Sequence, residues 1–335
     1  MSADKLDVYR SKRDAARTPE PVPGPGPLPR GRDDTFVVQE HHARRLHWDF
    51  RLERDGVLVS WAIPKGLPLD PKTNHLAVHT EDHPLEYAGF EGEISKGEYG
   101  AGLVLIWDRG TYETEKWTER EVKVVLHGSR TSGRYVLFPT NGKNWMIHRM
   151  DPPPPEASRP LGEGLLPMLP EPRKRIPRDQ RAYGFEFDLG GDRALLAVQN
   201  GETRLIAADG GPVPAEKTPD LGGLPKALLD LPAVLDGQIA DVSGTPVFMI
   251  YDLLHLDGGA LLDRSYENRR RTLDYLKLNG DRWQTTPWFP ADGKPVLKVA
   301  HQRGFPAIFA KRLTSPYLPG MRSPYWLTIP TRTAP

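Results

Sequence analysis

The chain of 335 residues contains no cysteine, which excludes disulfides, zinc ribbons and iron–sulfur sites and agrees with a reducing interior. Nowhere do about 18 apolar residues run together, so no membrane-spanning helix is expected. The opening stretch MSADKLDVYRSKRDAAR also lacks the apolar segment of a signal peptide. A soluble, cytoplasmic protein is the expectation. Charge of one sign is missing too: 45 Lys and Arg stand against 44 Asp and Glu, so no global positive field marks a nucleic-acid binder. Any polyanion must be met by local arginines. Histidine is scarce, with ten in all, which makes its distribution informative.

Proline and glycine are plentiful, and they divide the chain. A charged segment, Lys5 to Arg17, can be helical; TPEPVPGPGPLPR then removes backbone donors and reads as a linker or an arm laid over a domain. Residues 1–35 are therefore an N-terminal arm and Pro-rich linker. Over 36–151, short runs such as TFVVQE, LHWDFRLE, VLVSWAI, HLAVHTE, GLVLIWD, EVKVVLHG, GRYVLFP and NWMIHRM alternate with turn signals, which predicts a mainly-β barrel or sandwich of about eight strands. The run DPPPPEASRPLGEGLLPMLPEP predicts a second Pro-rich linker over 152–175. Beyond it, 176–330 mixes strands with helical patterns at Ser265–Leu278 and Pro295–Arg303, an α+β domain.

The stretch QEHHARRLHWDFRLE, residues 39–53, holds three of the ten histidines, an aspartate and three arginines. In a strand, Leu46, Trp48, Phe50 and Leu52 fall on one face, and His47, Asp49 and Arg51 on the other, about 7 Å apart between neighbours. His41 lies just upstream, within reach of His47. Two imidazoles and a carboxylate suit Mn, Fe or Zn, and an arginine beside the metal can clamp a phosphate. The run HLAVHTEDHPLEY offers a second alternating face of His79, Glu81 and His83, followed by Tyr87. His83 there is a candidate acid, base or transition-state donor. His42, His75, His127 and His148 are expected at the surface. Spacing alone leaves a rival open, because H-x-D with a distant His is also the facial triad of iron(II) oxygenases.

The residues from YRSKRDAARTPEP through FVVQEHHARRLHWDFRLERDGVLVSWAIPKGLP, LAVHTEDHPLEYAGFEGEISKGEYGAG and VLIWDRGTYE to NWMIHRMDPP resemble the 3′-phosphoesterase domain of bacterial DNA ligase D, the multidomain enzyme of non-homologous end joining. The resemblance covers residues 5–153. It implies a Mn-dependent β-barrel enzyme that removes a 3′-terminal ribonucleoside and then the 3′-phosphate, leaving a hydroxyl. It places the metal ligands at His41, His47 and Asp49, and phosphate-handling and catalytic residues at Arg51, His83 and Tyr87. Further functional positions fall on Arg13, Asp14, Gln39, Lys65 and Glu81, with Arg13 reaching toward the template strand or the ribose. His75 departs from the arginine expected there. The glycines of GEYGAG read as turn-forming structure.

Residues 165–330 resemble the adenylation, nucleotidyltransferase-like domain of ATP-dependent ligases of the same type, through LLPMLPEP, YGFEFDLGGDRALLAV, VLDGQIADVSGTPVFMIYDLLHLDG, SYENRRRTL and FPAIFAKRLTSPYLPGMRSPYWLTIP. The resemblance puts the K-x-D-G nucleophile, the amine that must form the lysyl-adenylate, at Asp188. The acid of D-G-E becomes Gln238, the glutamate before AKR becomes Pro306, and the closing lysines become Thr328 and Pro330, while Arg193 and Lys311 remain. The chain is also expected to end before any OB-fold. The expectation is a degenerate half that neither ligates nor uses ATP, fused to a phosphoesterase acting on DNA 3′ ends near the nucleoid, with Ku and a separate ligase or polymerase as candidate partners. The alternatives are a non-catalytic DNA-end or Ku-binding scaffold, and an active ATP-dependent ligase.

Overall fold

The computed structural model describes residues 4–152 and 160–331. The chain forms two compact units, residues 1–158 and 159–335. Within the described residues no helix is long and apolar enough to cross a membrane.

The first unit is built from β1 (Thr35–His42), β2 (Leu46–Arg54), β3 (Val57–Ile63), β4 (Asn74–His79), β5 (Gly92–Ile94), β6 (Gly102–Thr118), β7 (Glu121–Gly128), β8 (Ser132–Asn141) and β9 (Asn144–Arg149). Neighbours pair antiparallel in the order β1-β2-β3-β4-β9-β8-β7-β6, and β6 pairs back onto β1, closing an eight-stranded barrel with β5 added beside β6. Closure removes the free edges that a sheet must otherwise protect. The apolar face of β2 packs as its alternation predicts, with Phe50 against Phe36 and Trp61. Its polar face is buried as well, because the N-terminal arm and a 3-10 turn at Leu85–Gly89 lie over it.

The arm is helical only over α1 (Asp7–Ser11), shorter than the predicted Lys5–Arg17. Leu6 and Tyr9 are buried against Val57, Leu58 and Tyr87, and no apolar residue follows at the next turn to continue the stripe. A helix this short has little intrinsic stability, so tertiary burial sets its length. The predicted strand HLAVHTE also ends early, at His79. Thr80 N–H bonds to Ser60 O and the chain bridges from His83 to Leu58 instead. His79, Glu81 and His83 therefore share no strand face, and His79 stacks on Trp145.

The second unit is α+β. Its strands are β10 (Leu169–Pro172), β11 (Tyr183–Asp188), β12 (Asp192–Gln199), β13 (Glu202–Ala207), β14 (Ala233–Asp241), β15 (Pro246–Leu256), β16 (Gly259–Ala260), β17 (Trp283–Thr285), β18 (Trp288–Pro290), β19 (Ala307–Arg312) and β20 (Arg322–Pro330). They form a five-stranded sheet, β10-β20-β19-β11-β18, and a six-stranded sheet in which β17 pairs with β15 beside the path β13-β12-β14-β15-β16. Its helices are the short α2 (Leu224–Ala227), then α3 (Tyr266–Leu276) and α4 (Gly293–Arg303). Ser265 accepts a hydrogen bond from Asn268 N–H to cap α3, and Gly304 ends α4 in the left-handed region.

The expected linker over 152–175 is partly overturned. Residues 153–159 lie outside the described residues, but Met168 is core and Leu169–Pro172 is an edge strand parallel to β20. Proline is tolerated there because an edge strand has one side free of ladder bonds.

Candidate active site and metal centre

The register of the barrel brings the candidate ligands together. β1 and β2 pair with His41 directly opposite His47 and Gln39 opposite Asp49, so the imidazole rings meet with centroids 4.7 Å apart. One ligand atom from each of His41, His47 and Asp49 lies within 4.8 Å of the others. Backbone carbonyls fix which nitrogen faces inward. His41 Nε2 is 2.8 Å from Gly100 O, and a carbonyl can only accept, so this nitrogen carries the proton and Nδ1 faces Asp49 at 3.6 Å. His47 is the mirror case: Nδ1 donates to Arg45 O at 3.0 Å, leaving Nε2 facing Asp49 at 3.6 Å. Carbonyl partners that orient ligand imidazoles in this way are the usual outer shell of a metal site.

Arg51 organises the floor. Its side chain is 2% exposed and donates Nε–H to Gln39 Oε1 at 2.8 Å, Nη1–H to Ser60 Oγ at 2.9 Å and Nη2–H to Asp49 Oδ2 at 2.8 Å. Gln39, fully buried, donates in turn to the carbonyls of Tyr87 and Phe90. Burial alone would raise the Asp49 pKa, but Arg51, His41 and His47 hold it far below the usual carboxylate range. Burial pushes His47 down, Asp49 opposing and His41 and Arg51 adding to the effect.

His83 and Tyr87 face this floor. Burial, then the charges of Arg51 and Arg13, push the His83 pKa well below its ordinary value, so the ring is neutral. Its Nδ1–H donates to Glu81 O at 2.9 Å, leaving the Nε2 lone pair toward Arg13 Nη2 at 3.4 Å. Burial raises Tyr87 well above the ordinary phenol value despite Arg51, whose guanidinium sits 4.8 Å from the ring centroid. Tyr87 thus stays a donor, and its hydroxyl bonds to Glu20 at 3.1 Å.

These groups line one cavity of about 200 Å³, together with Arg13, Glu20, Ala43, Glu81, Tyr99 and Gly100. Arg13 is tied into the wall by Glu20 at 2.9 Å and Glu81 at 3.3 Å and packs 3.7 Å over Tyr9. Two buried carboxylates hold its charge at the cavity wall. Glu81 is held below the usual range by Lys12 and Arg13 against the effect of burial. Gln39 acts from behind through Arg51. Asp14 is exposed and caps its own turn through Ala16 N–H, and exposed Lys65 is not among the lining residues. His75 bonds to Gly66 O and is half-buried.

His42, expected at the surface, is 2% exposed beside Glu40, because both faces of β1 are covered in the closed barrel. His75 and His148 are half-buried, and His127 is exposed. Sequence reasoning missed Glu20, Ser60 and Tyr99. Glu20 interrupts a proline run and Tyr99 a glycine run, and those unusual neighbours were the available signal.

In the second unit Asp188 and Gln238 contact each other. Asp188 Oδ1 accepts from Gly190 N–H at 3.0 Å and from Gln238 Nε2 at 3.1 Å, and Gln238 Oε1 accepts from Tyr251 at 2.8 Å. Pro306 borders Gly190, and Thr328 is paired with Phe309 within the sheet. Lys311, 3% exposed, pairs with Glu186 at 2.7 Å and sits among Trp326, Tyr251 and Tyr266, 4.3, 5.1 and 5.2 Å from their ring centroids. Burial lowers its pKa although Glu186 opposes. Arg193 pairs with buried Asp236 and covers Trp326. The cavity beside Lys311, Tyr266 and Trp326 measures about 10 Å³.

A closed antiparallel barrel with this His, His, Asp, Arg, His and Tyr set defines the first unit's class: residues 39–139 match the family described as the DNA ligase D 3′-phosphoesterase domain. The likeness extends over both units. The chain is 45% identical to the multifunctional non-homologous end joining protein LigD of Mycobacterium bovis, over 97% of this chain and 45% of the relative. It is 32% identical to the LigD of Pseudomonas aeruginosa, over 98% and 47%. The chain is thus LigD-like from end to end and spans less than half the length of these relatives. Among solved structures, a mycobacterial DNA ligase D complexed with ATP and MES matches with 32% identity over 50% of this chain and 60% of that one, at a TM-score of 0.45.

Proposed function

We propose that the first unit is a divalent-metal-dependent phosphoesterase that trims DNA 3′ ends in non-homologous end joining, removing a terminal ribonucleoside and the 3′-phosphate to leave a hydroxyl. The observation that carries this reading is the convergence of His41, His47 and Asp49 within 4.8 Å in the same cavity as Arg51, His83 and Tyr87. Two imidazole nitrogens with carbonyl-fixed tautomers and an ionised carboxylate fit Mn²⁺ or a related cation. When bound, such an ion supplies Lewis-acid neutralisation of phosphate oxygens.

The chain's own groups account for the rest. Arg51 spends three of its five N–H groups holding Gln39, Ser60 and Asp49, which keeps Asp49 ionised and leaves two donors for a phosphate oxygen. Neutral His83 offers Nε2 as the proton acceptor. The Tyr87 hydroxyl, kept protonated by burial, holds its one proton on Glu20; it orients the phosphate by turning that proton from Glu20 to a phosphate oxygen. Burial of the floor strengthens each of these interactions.

The second unit is proposed not to join ends. A carboxylate at position 188 cannot form the lysyl-adenylate, and its hydrogen bond to Gln238 couples the two substitutions. ATP is not proposed as a cofactor, because position 188 supplies no amine to take up its adenylyl group. Cooperation with Ku or a separate ligase or polymerase at the nucleoid belongs to the same proposal.

The test is a labelled primer–template ending in a 3′-phosphate or a single ribonucleotide, incubated with Mn²⁺, beside a nicked duplex with ATP. Mn-dependent conversion to a 3′-hydroxyl, lost in folded His47→Ala, with the nick left open, is the expected result. Tight binding without end processing would reduce the protein to a scaffold, and a sealed nick would overturn the reading of the second unit.

A further inference from the structure

The loop between β5 and β6 holds an aromatic ring that the chemistry above does not use. Tyr99 is 48% exposed, yet it lines the same cavity as His41, His47 and Asp49. Its neighbour Gly100 is the residue whose carbonyl fixes the His41 tautomer at 2.8 Å. Gly97 and Gly100 have φ of +97° and +76°, values that favour glycine and hold the loop in its tight path. The ring is therefore carried on the same short backbone segment that orients a candidate ligand.

Tyr99 is also held from the other side of the cavity. Lys12 Nζ donates to its hydroxyl at 3.1 Å and lies 4.5 Å from the ring centroid, and Arg13 lies 5.5 Å from it. Arg17 pairs with Glu98 at 2.6 Å, so arm and loop are clasped at two adjacent residues. The result is a fixed, half-exposed aromatic ring on a cationic rim.

The size of the cavity says what reaches that rim. At about 200 Å³ it lies below the roughly 300–1,000 Å³ of pockets that enclose whole small molecules. A phosphate and its sugar fill such a space, and the attached base is left outside. The geometry points to Tyr99 as the platform on which the terminal nucleobase of the bound strand stacks, a contact that sets substrate preference by the presence and size of the base. This rests on the phosphoesterase reading and adds a binding contact to it. Stacking on an aromatic ring tolerates every base, because each has a π face, so the preference is for a base over none and for purine over pyrimidine.

The experiment compares primer–templates whose 3′-phosphorylated terminal residue bears a purine, a pyrimidine or no base. KM is measured under turnover, and Kd by fluorescence anisotropy with a non-hydrolysable 3′-methylenephosphonate. Stacking contributes about 1–3 kcal/mol per base, so wild type is expected to bind the purine end at least about fivefold more tightly than the abasic end. Tyr99→Ala brings that ratio close to one. Tyr99→Phe, which loses the Lys12 bond and keeps the ring, retains it. A role confined to clasping the arm would move all three ends together and leave the ratio intact, which overturns the proposal, as does a wild type indifferent to the base. Turnover of every end without base dependence sinks the platform and leaves the phosphoesterase standing. Absence of turnover removes the phosphoesterase, while the Kd ratio still decides the platform.

Discussion

Arg51→Lys isolates what the guanidinium fork contributes. The substitution keeps the positive charge beside Asp49, but one ammonium cannot meet Gln39, Ser60 and Asp49 from the three directions that the fork serves. If the ion pair to Asp49 survives, two hydrogen bonds from a charged donor are lost, each worth about 1.5–3 kcal/mol. The first unit is then destabilised by about 3–6 kcal/mol. Arg51→Met removes the charge as well and leaves a buried carboxylate unpaired, which typically costs about 3–5 kcal/mol by itself. Because two units unfold in one chain, the local reporter is hydrogen exchange of peptides from β1 to β3, read by mass spectrometry. Protection should fall in the order wild type, Lys variant, Met variant. Mn²⁺ should restore part of it in the Met variant by neutralising Asp49. A Lys variant within about 1 kcal/mol of wild type would refute the claim that the three-way fork holds the floor together.

Three further outcomes are expected. Burial pushes Asp82 up to about 6, Lys5 opposing; because its folded pKa is raised, stability is fullest below the unfolded value and falls as pH rises from about 4 through 6, by up to about 3 kcal/mol. Asp82→Asn should therefore raise the melting temperature at pH 8 and have little effect at pH 4, and an equal effect at both would contradict this. A Cβ at Gly128 would meet Asp108 Oδ2 at 2.2 Å and Phe36 at 2.7 Å, and Asp108 cannot yield because Ser129, Arg130 and Thr131 all donate to it. Gly128→Ala should lower barrel stability by about 1–3 kcal/mol in urea unfolding, and a neutral effect would show that the β7 end is looser than described. Asp188→Lys restores only the nucleophile position, leaving Gln238, Pro306 and Thr328 as they are, so no label should pass from α-labelled ATP to the chain; a labelled chain would mean that the nucleotide pocket opens.

Much of the barrel was legible because period-two alternation and turn residues recur along 36–151. The predicted run VLVSWAI coincides with β3, and EVKVVLHG with β7. His41, His47 and Asp49 were legible for the same reason, since alternation selects one face and a short turn returns it. The ring closure was not legible, because pairing β1 with β6 joins residues about 70 apart and leaves no local signature; this is why His42 was misplaced at the surface. Glu20 and Arg13 were hard to place for a related reason. Their burial comes from an arm folding over the barrel, and a proline-rich composition states only that the arm is not regular. In the second unit the edge strand Leu169–Pro172 hid among prolines that an edge accepts and a central strand does not.

β1 pairs on one side with β2 and on the other with β6, so the strand bearing His41 is also the seam of the ring. Separating β1 from β2 to let their amide protons exchange must pull His41 away from His47 and Asp49. A cation captured there is consequently a rivet across that pair, slowing exchange along β1 and β2 as its occupancy rises. The exchange rate of a few backbone amides thus becomes a gauge of metal affinity that needs no DNA and no turnover.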